Sequence, residues 1–196
     1  EWGRALRAAA RRADAGGALD ALDAHRVLCA HREGSWGVRG WSARITEWLG
    51  TAGAELAGWY AGQPILVTAN DRQTATFNGD TGVVIADPEG RTQGADGVRV
   101  AFRRGGSVRL LHPTQLADVV SVHAMTIHRS QGSQFRQVTV ILPPTGSELL
   151  TRELLYTAIT RAKQQFVYWG DEAGFQAACA HNEHRNSALG MFLKEG

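Results

Sequence analysis

Four short apolar runs, Arg26 to Ala30, Pro64 to Ala69, Val138 to Leu142 and Phe166 to Trp169, recur along the chain with helical patterns between them. Short apolar runs without strict alternation read as strands buried on both faces, and helices set between such strands imply a parallel sheet covered on both sides. The helical patterns are specific. Leu6, Ala9, Ala10 and Ala13 keep helical spacing, Gly16-Gly17 breaks the run, and Ala18 to Leu22 resumes it, so residues 1–22 predict a helical lead-in of two short helices. Trp41, Ile45, Trp48 and Leu49 place an apolar stripe on a helix from Val38 to Leu49. Thr151 is positioned to cap a helix whose stripe is Leu154, Leu155, Ala158, Ile159 and Ala162, and Asp171 to cap a last one ending at Cys179.

One stretch breaks the α/β alternation. Phe77-Asn78-Gly79-Asp80 carries an Asn-Gly tight-turn signal. Gly82 to Ala86, Val98 to Phe102 and Val108 to Leu111 follow as strands, separated by turns at Asp87-Pro88-Glu89-Gly90 and Gly105-Gly106. Short strands split by tight turns predict a small β-barrel inserted over 77–116. Residues 23–76 and 117–196 then form the α/β part, with Val119 to Met125 extended.

Composition narrows the class. The 196 residues suffice for one domain or one and a small second, and 43% hydrophobic with 20% charged residues is ordinary for a globular chain. No run reaches the roughly 18 apolar residues that a membrane span needs, and the start, with Arg4, Arg7, Arg11 and Arg12, lacks the apolar core of a secretory signal. Cys29 and Cys179 make no disulfide framework and fit a reducing, cytoplasmic setting. Net charge is only +2, so any nucleic-acid contact must rest on placed groups rather than on the total. No G-x-x-x-x-G-K-S/T phosphate loop occurs. A chain that opens at Glu1 without that loop is expected to be a piece of something longer.

Two segments concentrate polar chemistry. M-T-I-H-R-S-Q-G-S-Q-F, from Met125 to Phe135, packs hydroxyl, amide and imidazole groups around a glycine after a strand, a composition suited to phosphate contacts. A polar surface loop is the plainer reading of it. L-L-Y-T-A-I-T-R-A-K, from Leu154 to Lys163, sets Thr157 and Arg161 four residues apart, on one face of a helix. An arginine so mounted can neutralise a transferring phosphate; an arginine ion-paired on a solvated face would not.

Together these segments resemble motifs V and VI of superfamily 1 helicases, and the RecD family, the alpha subunit of exodeoxyribonuclease V, in particular. Upstream, R-V-L-C-A-H-R-E-G-S-W-G-V resembles that family's strand and loop at motif IV. G-Q-P-I-L-V-T-A-N-D with F-N-G-D-T-G resembles the entry to its inserted barrel. The resemblance covers roughly residues 20–196 and implies the second of two RecA-like motor domains (2A), interrupted by an SH3-like barrel (2B). The family couples ATP hydrolysis to 5′-to-3′ movement on DNA in double-strand break repair and recombination.

By this resemblance Arg161 reaches the γ-phosphate, Arg32 is a second phosphate contact, Gly132 lets backbone approach the nucleotide, and Gln134 touches it where many members carry an acid. Thr126, His128, Ser130 and Gln131 would face DNA or couple it to the cleft, and Tyr156 and Thr157 would link the helix to that loop. Asn70, Phe77 and Asn78 are DNA-side candidates by position. ATP with Mg²⁺ is the implied cofactor, its Mg²⁺ ligands on the N-terminal motor domain of the same polypeptide. Single-stranded DNA, that domain and other exodeoxyribonuclease V subunits are the implied partners, with no membrane. The isolated piece is expected to hydrolyse no ATP. A stand-alone RecD-like helicase, or a module that only docks DNA or a partner, are the alternatives; a phosphate loop encoded before Glu1 separates motor from module.

Other chemistries fit less well. His181-x-x-His184, and His123 with His128, have no Cys or acid at zinc spacing. Cys29 lacks the sequence signature of a nucleophile. Asp87, Glu89 and Asp96 read as solvated turn tips rather than a two-metal nuclease cluster. Trp41 and Trp48, on the helix stripe, read as core.

Overall fold

In the computed structural model, residues 1–51, 53, 58–87, 89, 97–144 and 146–181 are described. Pro88, Gly90, Asp96 and His184 lie outside them. Two helices, α1 (Trp2–Arg11) and α2 (Ala15–Ala24), precede strand β1 (His25–Cys29) and helix α3 (Val38–Trp48). Strands β2 (Pro64–Val67), β3 (Thr81–Ala86), β4 (Val98–Arg104), β5 (Ser107–Leu111), β6 (Val119–Ser121), β7 (Ala124–Thr126) and β8 (Phe135–Ile141) follow. Helix α4 (Arg152–Ile159), strand β9 (Ala162–Trp169) and helix α5 (Glu172–Ala180) close the order.

The expected parallel sheet is present, in the order β7-β1-β8-β9. Leu28, Val138 and Val140 bury one face against Leu154, Leu155 and Ala158 of α4 and Ala178 of α5. Cys29, Ala124 and Ile141 bury the other against Trp41 and Ile45 of α3. Thr151 and Asp171 cap α4 and α5 by accepting from the N–H groups of Leu154 and Gly174, as the sequence predicts.

The second sheet is antiparallel, ordered β5-β4-β3-β2-β6, and it reaches beyond the expected 77–116. Strand β2, read from sequence as part of the α/β half, pairs with β3 and β6 instead. Its four residues are all buried because Leu66 packs into the core of the parallel sheet while Ile65 and Val67 pack into that of the antiparallel one. A strand between two cores looks like a parallel strand in sequence. The extended run from Val119 to Met125 likewise splits: β6 joins the second sheet and β7 the first, with Val122 and His123 between them.

The helical lead-in packs on this second sheet. Leu6, Ala9, Leu19 and Leu22 bury Val83 and Ile85 of β3 and Ala101 of β4. The break between α1 and α2 falls at Arg12–Asp14, not at the glycine pair. Asp14 caps α2 by accepting from Gly17 N at 2.9 Å, and a Cβ on Gly17 would stand 2.3 Å from that carboxylate. Asp87 is buried and paired with Arg99 at 3.3 Å, so it is not a solvated tip. No helix among the described residues is long and apolar enough to cross a membrane.

Arg26, His25 and His123 form a polar cluster at the start of β1. Arg26 is 3% exposed, with its Nε and Nη2 unpartnered, and its guanidinium lies 4.8 Å from the centre of the Phe135 ring. Burial pushes its pKa down to about 10. His25 bonds Thr139 Oγ1 at 2.8 Å and His123 bonds the Tyr60 hydroxyl at 2.7 Å. Burial, with Arg26 adding to it, holds both imidazoles at about 4, against an ordinary 6.5. The unfolded chain protonates these rings near 6.5 and the folded chain only near 4. The stability they contribute is therefore complete above the first value and lost as pH falls toward the second. The expected outcome is a melting temperature that drops across that window, and a shallower drop in the His25→Gln/His123→Gln variant.

Candidate functional site

The two polar segments meet at one corner of the parallel sheet. Helix α4 ends at Ile159, Thr160 caps it, and Arg161 lies on the turn into β9. The expectation of an arginine on the helix face is corrected here. The carbonyl of Arg161 accepts from Phe135 N at 2.8 Å and Ala162 pairs with Phe135 in the β8–β9 ladder, so the chain has left the helix before Ala162. The side chain folds back. Its Nε donates to Thr157 O, Nη1 to Ser133 O and Nη2 to Thr160 Oγ1, each at 3.1 Å. All three acceptors are neutral, and no carboxylate pairs with Arg161 among the described residues. A guanidinium has five N–H donors, so two remain, with the full positive charge, in a half-buried setting.

The rest of the corner comes from the loop before β8. Gln134 is exposed and donates to Thr160 O at 3.4 Å. Gly132 has φ +85°, a left-handed conformation that favours glycine. Thr157 joins the corner through its carbonyl; its hydroxyl is spent on Glu153 O at 2.8 Å. Tyr156 is 68% exposed.

The same loop begins at the opposite edge of the sheet. Thr126 is level with Cys29 at the C-terminal ends of β7 and β1, and its hydroxyl accepts from Arg129 N at 3.2 Å. His128, Arg129 and Gln131 are exposed on the turn that follows. Ser130 is not: it is wholly buried and donates to Ile127 O at 2.6 Å. Its hydroxyl braces the turn. Ser130→Ala is expected to cost about 1 kcal/mol of stability and to leave DNA affinity unchanged, as read from denaturant melts and DNA titration.

Arg32, exposed in the loop after β1, shares this second edge with Thr126. Strand β8, of 7 residues, spans roughly 20 Å between the two edges. The backbones of Arg32 and Arg161 therefore stand at opposite ends of the sheet. Asn70 and Asn78 lie at neither edge. The Asn70 side chain accepts from Asn78 N at 2.9 Å in the β2–β3 connection, beside an exposed Phe77 whose ring is covered by Arg104 at 4.8 Å.

Cys29 is fully buried, and burial pushes its thiol up to about 12, so it is no nucleophile. Among the described residues no three His, Cys, Asp or Glu side chains are grouped to hold a metal. Sequence reading missed Arg26; a lone charge at the head of an apolar run is the signal that marks it.

Residues 121–167, which run through both corners, match the UvrD-like helicase C-terminal domain. The RecBCD enzyme subunit RecD of Mycobacterium tuberculosis H37Rv is 48% identical over 179 residues, covering 90% of this chain and 30% of that protein. The chain belongs to the RecD family. RecD of Mycolicibacterium smegmatis is likewise 48% identical, over 96% of this chain and 33% of its own length. The ATP-dependent RecD2 DNA helicase of Deinococcus radiodurans is 34% identical over 65% of the chain and 17% of that protein. This RecD-family chain thus spans about a third of the length of these two RecD subunits. Its fold resembles that of a Bacteroides Pif1 helicase solved with ADP-AlF3 and single-stranded DNA, with a TM-score of 0.51 at 15% identity, covering 88% of this chain and 45% of that one.

Proposed function

We propose that this chain is the second RecA-like half of an ATP-dependent, 5′-to-3′ DNA helicase of RecD type, working in double-strand break repair with other exodeoxyribonuclease V subunits. The parallel sheet with α3, α4 and α5 is the 2A motor domain. The antiparallel sheet, from Pro64 to Ser121, is the SH3-like 2B insertion. The observation that carries the reading is Arg161, locked by three neutral acceptors yet keeping its charge uncompensated. An arginine built this way stabilises charge on a transferring phosphoryl group without reorganising.

In this reading the Arg161 edge faces ATP held on the N-terminal motor domain of the same polypeptide, where the Mg²⁺ ligands also lie. Gln134 and the Gly132 backbone contact the nucleotide there. The other edge faces single-stranded DNA, with Arg32, Thr126, His128 and Gln131 as backbone contacts that hold position without reading sequence. The loop from Thr126 to Gln134 joins the two edges, so a shift at one is felt at the other. Strand separation by the full-length protein tests the function: ATP-dependent unwinding is expected with wild-type Arg161 and none with Arg161→Ala.

A further inference from the structure

A cavity of about 430 Å³ opens where α1, α2 and α3 meet the start of β1, with Trp2, His25, Trp48 and His123 among its lining residues. Trp2 lies flat on the His25 ring, the centroids 6.2 Å apart and the planes at 9°. Trp48, read from sequence as core, is 63% exposed and meets Trp41 edge-on at 6.0 Å. A surface tryptophan standing clear of the core offers a ring for stacking. The imidazoles bond protein hydroxyls through Nε2, which leaves Nδ1 of each for another partner.

A second hollow of about 300 Å³ adjoins the first, since Arg4, Trp48 and Leu49 line both. It adds Arg7 and Arg11. Spacings of three and four residues along α1 put these arginines on one face. Arg7 is tied to the Leu49 carbonyl. Arg4 and Arg11, both exposed, have no acidic partner among the described residues. An aromatic slot beside a row of uncompensated positive charges has two halves that one ligand must satisfy together. An apolar peptide would leave the arginines unmatched, and an acidic peptide would leave the slot unfilled.

We propose that this is a binding site for a nucleotide unit, its base against Trp48 and Trp2 and its phosphates on Arg4 and Arg11. Base stacking on aromatic rings combined with arginine contacts tolerates any sequence. The site shares no residue with the Arg161 corner. The unit is supplied either by a single strand of nucleic acid or by a free nucleotide.

The test uses the full-length protein without ATP, with two probes: a fluorescent oligothymidylate and free thymidine monophosphate. Trp48→Ala is expected to weaken binding about tenfold. Arg4→Glu/Arg11→Glu is expected to lower the salt slope for the oligonucleotide by about 1.4, roughly 0.7 per lost phosphate contact. All three side chains are exposed, and unchanged melting temperatures verify that the variants fold. Loss with the oligonucleotide alone identifies a strand; loss with the mononucleotide identifies a free nucleotide. Unchanged affinity and slope for both probes would overturn the proposal, including the case where the variants instead release a protein partner. ATP turnover is not the readout, so failure here and failure of the helicase reading are separable.

Discussion

Replacing Arg161 by alanine in the full-length protein is expected to lower ATP turnover about 10³-fold or more, while nucleotide affinity changes little. The geometry explains both halves of that result. Thr157 O, Ser133 O and Thr160 Oγ1 hold the guanidinium by three separate donors at 3.1 Å, so its position is set before any ligand arrives. None of these partners cancels its charge. A group fixed and charged in this way acts on charge that develops during transfer more than on the ground state. Lysine cannot replace it, because one ammonium cannot reproduce the planar fork that meets acceptors on three sides. Arg161→Lys is therefore expected to be nearly as slow as Arg161→Ala. Steady-state hydrolysis at saturating ATP, paired with titration of a fluorescent nucleotide, checks both. Turnover within a few-fold of wild type would remove Arg161 from the reaction.

The second large effect lies at the other edge. Gly37→Ala is expected to destabilise the fold by about 3 kcal/mol and to weaken DNA binding. Gly37 caps α3 and is buried. A Cβ there would stand 2.2 Å from the carbonyl oxygen of Glu33 and 2.8 Å from the carbonyl carbon of Arg32. These are backbone atoms, so no rotamer change relieves the contact, and the loop that presents Arg32 must move. Thermal unfolding should show a drop of roughly 6–12 °C. Gly34→Ala is the control. Its Cβ would meet nothing, and only its φ of +82° opposes the change, at roughly 1–2 kcal/mol. Equal melting temperatures for the two variants would show that the crowding at Gly37 is relieved at no cost.

Much of the architecture was legible in the residues. Apolar runs such as V-T-V-I-L can satisfy their burial only in a sheet covered on both faces, and Thr151 and Asp171 carry the cap chemistry in side chains visible in sequence. The departures share a cause: burial depends on neighbours that the local pattern does not name. Pro64–Val67 looks like a strand of the parallel sheet because two different cores bury it. Ala162 continues the helical spacing of Leu155 and Ala158, yet opens β9, because an apolar residue at a helix end and one at a strand start are the same letter. Ser130 and Thr126 are equally polar in sequence, and only the turn decides which hydroxyl is buried. Trp48 keeps the stripe spacing of Trp41, but in the last turn of α3 it packs edge-on to Trp41 and remains exposed. The pairing of Arg161 with the Ser133 loop was legible as two motifs; the separation of Arg32 from it required the strand between them.

The division of the sheet into a nucleotide edge and a DNA edge is tested most directly by amide hydrogen exchange on the full-length protein. Two ligands would be added separately, a non-hydrolysable ATP analogue and single-stranded DNA. Slower exchange is predicted at residues 132–134 and 160–162 with the nucleotide, and at residues 31–37 and 126–131 with DNA. Protection of the Arg32 loop by nucleotide, with the Arg161 corner unaffected, would contradict the account.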